Sequence, residues 1–251
     1  MKLSAIIIAQ NEEKRIKDCL KTLTWADEVV VVDSGSTDKT AEVAQRNQAR
    51  IVENKKGGFS RSRNLGAEKA KGDWIFYIDA DERMTPALEK EILETIKDIS
   101  LNAYAMPRKN IIFGKEFKHT GQWPDYVKRL FRKSGFLGWQ GELHEEPKFV
   151  GELGHLKNPL IHLKHNDLAE MVEKTNKWSE IEARLMYEAG HPKMNIPRFL
   201  SAMFREFWLR MIRQMAFLDG PKGIIYALYQ VFSRFVSYAK LWEMQNARRN
   251  L

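Results

Sequence analysis

Acidic and polar side chains recur where apolar runs end in the first third of the chain. Leu3–Ala9 runs into Gln10-Asn11-Glu12, Val29–Val32 into Asp33, and Trp74–Ile78 into Asp79-Ala80-Asp81. In open parallel α/β sheets ligands sit beyond the carboxyl ends of the strands, so buried strands here would gather these acids at one edge. Crowded carboxylates raise one another's pKa unless a cation or hydrogen-bond donors neutralise them, and a divalent metal with a polar ligand meets that need. Asp79 and Asp81 offer hard oxygens for Mg²⁺ or Mn²⁺, which completes its shell with substrate phosphate and water. The competing reading is that Asp81 and Glu82 cap the helix that follows. Asp33 opens Ser34-Gly35-Ser36-Thr37-Asp38. That segment carries neither the glycine pattern of a dinucleotide site nor a P-loop lysine. A carboxylate there can accept hydrogen bonds from a base N–H or a ribose hydroxyl, while Ser36, Thr37 and Asp38 suit a helix cap.

Further along, Arg129 and Arg132 lie in Tyr126–Arg132. One of them could donate a fork of hydrogen bonds to phosphate, leaving the other solvated. Glu142, His144, Glu145 and Glu146 follow Gly135, Gly138 and Gly141, a segment read as a loop with carboxylates to spare for proton transfer. His162 and His165 fit structural histidines better than further metal ligands. Cys19, the sole cysteine, excludes an intramolecular disulfide and a cysteine-rich zinc site. It fits a reducing compartment and reads as a small buried apolar residue.

The elements that would position these groups alternate strand and helix. Strands are expected at Leu3–Ala9, Glu28–Asp33, Arg50–Glu53 and Trp74–Ile78, where continuous apolar runs match strands buried on both faces. Helices are expected over Glu12–Leu23, through Ala44 after the turn and cap residues Ser34-Gly35-Ser36-Thr37-Asp38, over Phe59–Lys71 and over Pro86–Ile99. This order implies a parallel sheet with helices on both faces. After residue 100 the pattern changes. Ala103–Phe113 and Tyr126–Phe131 read as strands with only a loop, Gly114–Pro124, between them, so they would add antiparallel strands to the sheet edge. Asp167-Leu168-Ala169-Glu170 has capping-box spacing and opens a helix reaching about Glu188.

Four separated motifs, in this order and spacing, resemble family 2 glycosyltransferases of the GT-A fold: Ile8-Ala9-Gln10-Asn11-Glu12-Glu13, Val32-Asp33-Ser34-Gly35-Ser36-Thr37-Asp38, Arg61-Ser62-Arg63-Asn64-Leu65-Gly66 and Asp79-Ala80-Asp81-Glu82. Tyr126–Arg132 and Trp139-Gln140-Gly141-Glu142-Leu143-His144-Glu145 resemble, more loosely, the subgroup that holds lipopolysaccharide core glucosyltransferases. The resemblance implies a nucleotide-sugar donor, usually a UDP-sugar, and inversion at the anomeric carbon. By position it implies Asn11 and Glu12 beside the nucleoside, Asp33 on the base, Asp79 on the ribose or metal, Asp81 on the metal, and Arg61 and Asn64 flanking the nucleotide pocket. Inversion requires a general base on the acceptor side. Glu145 is the first choice, with His144 orienting it or contacting the diphosphate; Glu142 and Asp125 are alternatives. The division expected is a GT-A catalytic domain over 1–190, its nucleotide-sugar part within 1–100 and its acceptor side within 101–190, followed by basic helices over 191–251.

That tail holds the excess charge. Residues 193–251 contain ten of the 41 Lys and Arg but three of the 33 Asp and Glu, so the preceding part is almost neutral. Two amphipathic helices are expected here. Leu200, Phe204, Phe207, Trp208, Met211 and Met215 share one face of the first, opposite Arg198, Arg205 and Arg213. Ile225, Leu228, Phe232, Phe235, Ala239 and Trp242 form the stripe of the second. A basic tail points to an anionic partner. Without RNP-like, zinc-finger or KH signatures nucleic acid is not expected, and an anionic membrane surface is the better match. A saccharide or glycolipid acceptor, with the protein cytoplasmic or peripheral on the cytoplasmic face of the inner membrane, follows from the resemblance. Glycosyl transfer to polyprenyl-phosphate or capsule precursors, and nucleotidyl transfer, are the alternative chemistries. No signal-peptide core and no apolar run of membrane-spanning length are seen.

Overall fold

Leu3–Ala9, apolar but for Ser4, is buried along almost its whole length and forms β1, which lies between the parallel strands Glu28–Asp33 and Trp74–Asp79. The computed structural model describes residues 1–55, 58–141 and 145–247. The chain forms two compact units, Met1–Lys109 with Asp125–His162, and Asn110–Pro124 with the described part of Leu163–Leu251.

In the first unit the elements run β1 (Leu3–Ala9), α1 (Glu13–Lys21), β2 (Glu28–Asp33), α2 (Thr40–Arg46), β3 (Arg50–Glu53), α3 (Phe59–Lys69), β4 (Trp74–Asp79), β5 (Glu82–Arg83) and α4 (Pro86–Thr95). They continue through β6 (Ala103–Ile112), β7 (Lys115–Glu116), β8 (Asp125–Arg132), β9 (Phe136–Gln140), β10 (Glu146–Phe149), β11 (Leu153–His155) and β12 (Leu160–His165). β7 and the ends of β6 and β12 belong to the second unit. The sheet order is β3-β2-β1-β4-β8-β6-β12-β5, with β7 and β11 pairing β6. β1 to β4 are mutually parallel. β8 runs antiparallel to both β4 and β6, and its pairing with β6 is the one expected for strands joined without a crossover helix.

Alternation along the parallel strands divides the core between two faces. Leu3, Ile7, Val31, Trp74, Phe76 and Ile78 meet α1 and α4 through Ile16, Leu20, Leu88 and Ile92. Ile6, Val30, Val32, Ile75 and Tyr77 meet Ala67 of α3 and Trp139 of β9. At Gly66 a Cβ would lie 2.5 Å from Cγ2 of Ile6, so α3 sits on the sheet at a distance only glycine permits there.

Two expectations change. Of the stretch Gly135–Pro147 read as a loop, Phe136–Gln140 is strand β9 and Glu146 opens strand β10, and the two strands pair antiparallel. Gly138 and Gly141 adopt φ of 110° and 104°, a conformation that supplies irregular geometry beside a hairpin and that hides the strands in the sequence. The loop Gly114–Pro124 carries the short strand β7.

The second unit adds α5 (Leu168–Glu188), α6 (Ile196–Phe207), a π-helical turn Trp208–Arg213, a 3₁₀ turn Ala216–Asp219 and α7 (Gly220–Ala247). Asp167 caps α5, accepting the Glu170 N–H at 2.8 Å. Met171, Phe117 and Tyr226 form one small core, and Ala183, Met194 and Leu241 another. The expected stripes form, but they point outward. Phe204 and Leu200 of α6, and Ile225, Leu228, Phe232, Phe235 and Trp242 of α7, are exposed, whereas α7 buries Gly223, Tyr226, Ala227, Ser237 and Leu241.

Candidate active site

β1, β2 and β4 end side by side. Asp33 is paired with Ala9 and Asp79 with Ile8, so the two aspartates flank the end of β1, about two strand spacings or ~10 Å apart. The loops leaving β1 and β2 are tied together. Asn11, in the left-handed region at φ 57°, donates its N–H to Ser36 Oγ at 3.0 Å and accepts the Thr37 N–H at 2.8 Å. The Glu12 N–H donates to Thr40 Oγ1 at 2.8 Å. Asp33 is buried and accepts both the Ser36 N–H and hydroxyl, which fixes its carboxylate at the strand tip. Asn11, Glu12 and Asp33 are thus brought together.

Asp79 is held by charge. Arg129 donates to its Oδ2, and Arg63 to its Oδ1 at 3.1 Å. Behind it, Glu82 is fully buried; it accepts the Asp79 N–H at 2.9 Å and one N–H each from Arg129 and Arg108, both at 3.1 Å. Arg108 also bonds Asp125 at 2.7 Å. Burial opposes ionisation of Asp79, but the Arg129 and Arg63 guanidiniums outweigh it and hold the carboxyl well below the usual carboxylate range. Three arginines, Arg63, Arg108 and Arg129, therefore set positive charge against Asp79, Glu82 and Asp125, which lowers the cost of gathering acids here.

Asp81 lies two residues beyond Asp79, between β4 and β5. Its Oδ2 lies 3.5 Å from Nε2 of His162, which β12 delivers because His162 is paired with Glu82. Asp81 does not cap α4; Thr85 does, accepting the Leu88 N–H at 3.2 Å. Among the described residues no group of three or more His, Cys, Asp and Glu is placed to hold a metal. A carboxylate oxygen and an imidazole nitrogen fit a divalent ion that draws its remaining ligands from diphosphate and water.

α3 carries the facing wall. The Asn64 amide clasps β9, accepting the Trp139 N–H at 2.7 Å and donating to the Trp139 carbonyl at 3.0 Å. The Arg63 guanidinium lies 4.7 Å from the Trp139 ring centroid, a cation–π distance. Arg61 is exposed while Arg63 is buried, so the arginine that reaches Asp79 is the second of the motif. Arg129 is buried in the site. Arg132 is paired with Trp74, at the opposite end of β4 from Asp79, and the structure does not bring it to the cluster. Glu145 is half-buried immediately before β10; Glu142 and His144 lie outside the described residues. Sequence reasoning did not single out Arg63, read Glu82 only as a possible helix cap and set His162 aside as structural. Arg63 and Glu82 sit inside the motifs it used, and His162 had no signal beyond its residue type.

A sheet whose parallel strand tips gather polar groups, extended by antiparallel strands, is the GT-A architecture. The family model for glycosyl transferase family 2 matches residues 4–151, and the chain belongs to that family; it is a glycosyltransferase. It is 29% identical over 258 residues to the lipopolysaccharide core biosynthesis glycosyltransferase LpsC of Rhizobium meliloti, covering 96% of this chain and 92% of the relative. It is 28% identical over 257 residues to an uncharacterized glycosyltransferase of Rickettsia bellii, covering 97% and 87%. Among solved structures, S. aureus TarS 1-349 in complex with UDP-GlcNAc is similar in fold, with a TM-score of 0.50 at 15% identity over 100% of this chain and 92% of that one.

Proposed function

We propose that the protein is an inverting glycosyltransferase that moves a sugar, glucose by preference, from a UDP-sugar to a saccharide acceptor in lipopolysaccharide core or related cell-envelope glycan synthesis. The observation that carries this reading is the edge built by Asp33, Asp79 and the Asp81–His162 pair at neighbouring strand ends. The named function of the Rhizobium relative supports the acceptor class, and the nucleotide sugar bound by TarS supports the donor.

In this reading Asp33 accepts a base N–H and Asp79 accepts ribose hydroxyls, with its charge kept by Arg63 and Arg129. Two guanidiniums beside Asp79 disfavour a further cation on the same carboxylate, so the metal falls to Asp81 and His162. When bound there, Mg²⁺ or Mn²⁺ offsets the charge that grows on the departing diphosphate. Glu145 takes the proton from the attacking acceptor hydroxyl. The acceptor is a lipid-borne saccharide met at the cytoplasmic face of the inner membrane.

The test is a thermal-shift panel of nucleotide sugars with Mn²⁺ or Mg²⁺, joined to assays of UDP and pyrophosphate release. A UDP-sugar should raise the unfolding temperature, because ligands that bind the folded state stabilise it, and UDP should be released slowly without acceptor. Consumption of NTP with pyrophosphate release would instead establish nucleotidyl transfer.

A further inference from the structure

Fifteen of the 26 large apolar side chains exposed among the described residues lie between Ile196 and Trp242, a stretch of less than a fifth of the chain. That density exceeds the scattered exposure normal for a soluble surface. In α7 the exposed residues Ile225, Leu228, Phe232, Phe235 and Trp242 follow the spacing of one helical seam. The seam runs about 26 Å at 1.5 Å per residue. Its angular position is opposite Tyr226, Ala227, Ser237 and Leu241, which α7 buries. Phe235 touches Phe199 of α6 with ring centroids 5.7 Å apart, so the seam adjoins α6, which exposes Leu200, Phe204 and, beyond its end, Trp208.

The charge around this surface selects its partner. Arg198, Arg205 and Arg213 are exposed. The acids of the same stretch are mostly consumed. Glu206 pairs with Arg210 at 2.8 Å, and Asp219 is buried, accepting the Lys118 and His119 N–H groups. Glu243 remains exposed. A second copy docked by two-fold symmetry would set this arginine-rich surface against itself, whereas anionic lipid headgroups complement it. Trp208 and Trp242 are of the type favoured at membrane–water interfaces. No helix among the described residues is long and apolar enough to cross a membrane, which leaves interfacial seating.

We propose that the outward faces of α6 and α7 insert into the interfacial zone of an anionic bilayer, with the α7 seam in the acyl boundary and the α6 arginines on headgroup phosphates. The purpose of this contact, access to a lipid-borne acceptor, rests on the function proposed above; the contact itself rests on the surface.

The experiment is sedimentation of the full chain with vesicles of phosphatidylcholine, alone or mixed with phosphatidylglycerol, at low and high salt. The anionic vesicles should bind more tightly, and salt should weaken the difference. Leu228→Ser/Phe232→Ser/Phe235→Ser, all at exposed positions, should lower vesicle binding at least about tenfold. Arg198→Gln/Arg205→Gln should remove mainly the anionic increment. Lipid-free UDP release from UDP-glucose should be unchanged in both variants, which reports that they fold. Wild-type vesicle binding by the triple variant would overturn the proposal. So would a lipid-free dimer that the triple variant dissociates, with no vesicle binding by the wild type. Vesicle binding as expected without UDP release from any UDP-sugar would support this surface and sink the donor reading alone.

Discussion

Nε2 of His162 stands 3.5 Å from Oδ2 of Asp81, joining the end of the β4–β5 turn to a strand far away in sequence. If these two hold the cation, His162→Ala and Asp81→Asn should each weaken Mn²⁺ binding by more than the ~10–100-fold typical of losing an outer-shell partner. Asp79→Asn should weaken UDP binding while leaving metal affinity nearer wild type. Calorimetric titration of Mn²⁺ with and without UDP separates the two effects. Equal loss of metal affinity in the Asp79 and Asp81 variants would return the cation to both aspartates.

The Arg129–Asp79–Glu82 cluster should matter for stability. Arg129 is 5% exposed and Glu82 0%, so Arg129→Met leaves buried negative charge with fewer donors. Breaking a buried pair in this way costs roughly 3–5 kcal/mol, readable as a lower midpoint in urea unfolding.

The same cluster sets a pH dependence. The Asp79 carboxyl titrates below its ordinary value of 3.8 when folded, so the unfolded chain binds its proton first. The stabilisation is complete above that ordinary value and is lost as pH falls toward the depressed folded one. Unfolding free energy should therefore decline below about pH 4 in the wild type, and Arg129→Met should flatten that part of the decline.

How much of this was legible depends on what each signal encodes. β1, β2 and β4 are buried on both faces, so their continuous apolar runs marked both the strands and the acids at their tips. The antiparallel nature of β6 and β8 followed from the missing helix between them. Arg63 was overshadowed by Arg61 because choosing between them needs the exact face that α3 turns to the sheet, fixed by Gly66 and Ala67. His162 was opaque because its neighbour is set by the register of β12 against β5, a long-range pairing with no local mark. β9 and β10 were hidden because glycines at positive φ look like loop residues. In the tail, periodicity revealed the stripes but not their direction, since a face turned to a core and one turned to lipid share the same spacing.

The Asn64–Trp139 clasp should fix the hairpin that carries Glu145. Asn64→Asp keeps an acceptor for the Trp139 N–H but sets a carboxylate oxygen against the Trp139 carbonyl. Losing a partner of a buried polar group costs about 1–3 kcal/mol. Hydrogen exchange should rise at β9 and β10 more than at β1 or β4. A uniform rise across the sheet would mean that the clasp supports the whole unit rather than the hairpin.

Glu145 itself offers the sharpest test of the chemistry. It lies immediately before β10 and precedes Glu146, whose carboxylate is engaged by Lys128 at 2.8 Å. Of these two adjacent acids, Glu146 is the one committed to a surface ion pair. Glu145→Gln preserves size and hydrogen-bonding capacity while removing the base. It should leave UDP-sugar affinity near wild type and lower transfer about 10²-fold or more, the usual scale for a lost general base. Glu146→Gln should change transfer little. Transfer within a few-fold of wild type in Glu145→Gln would take the residue out of that role and turn attention to Glu142 and to Asp125, which Arg108 holds in place.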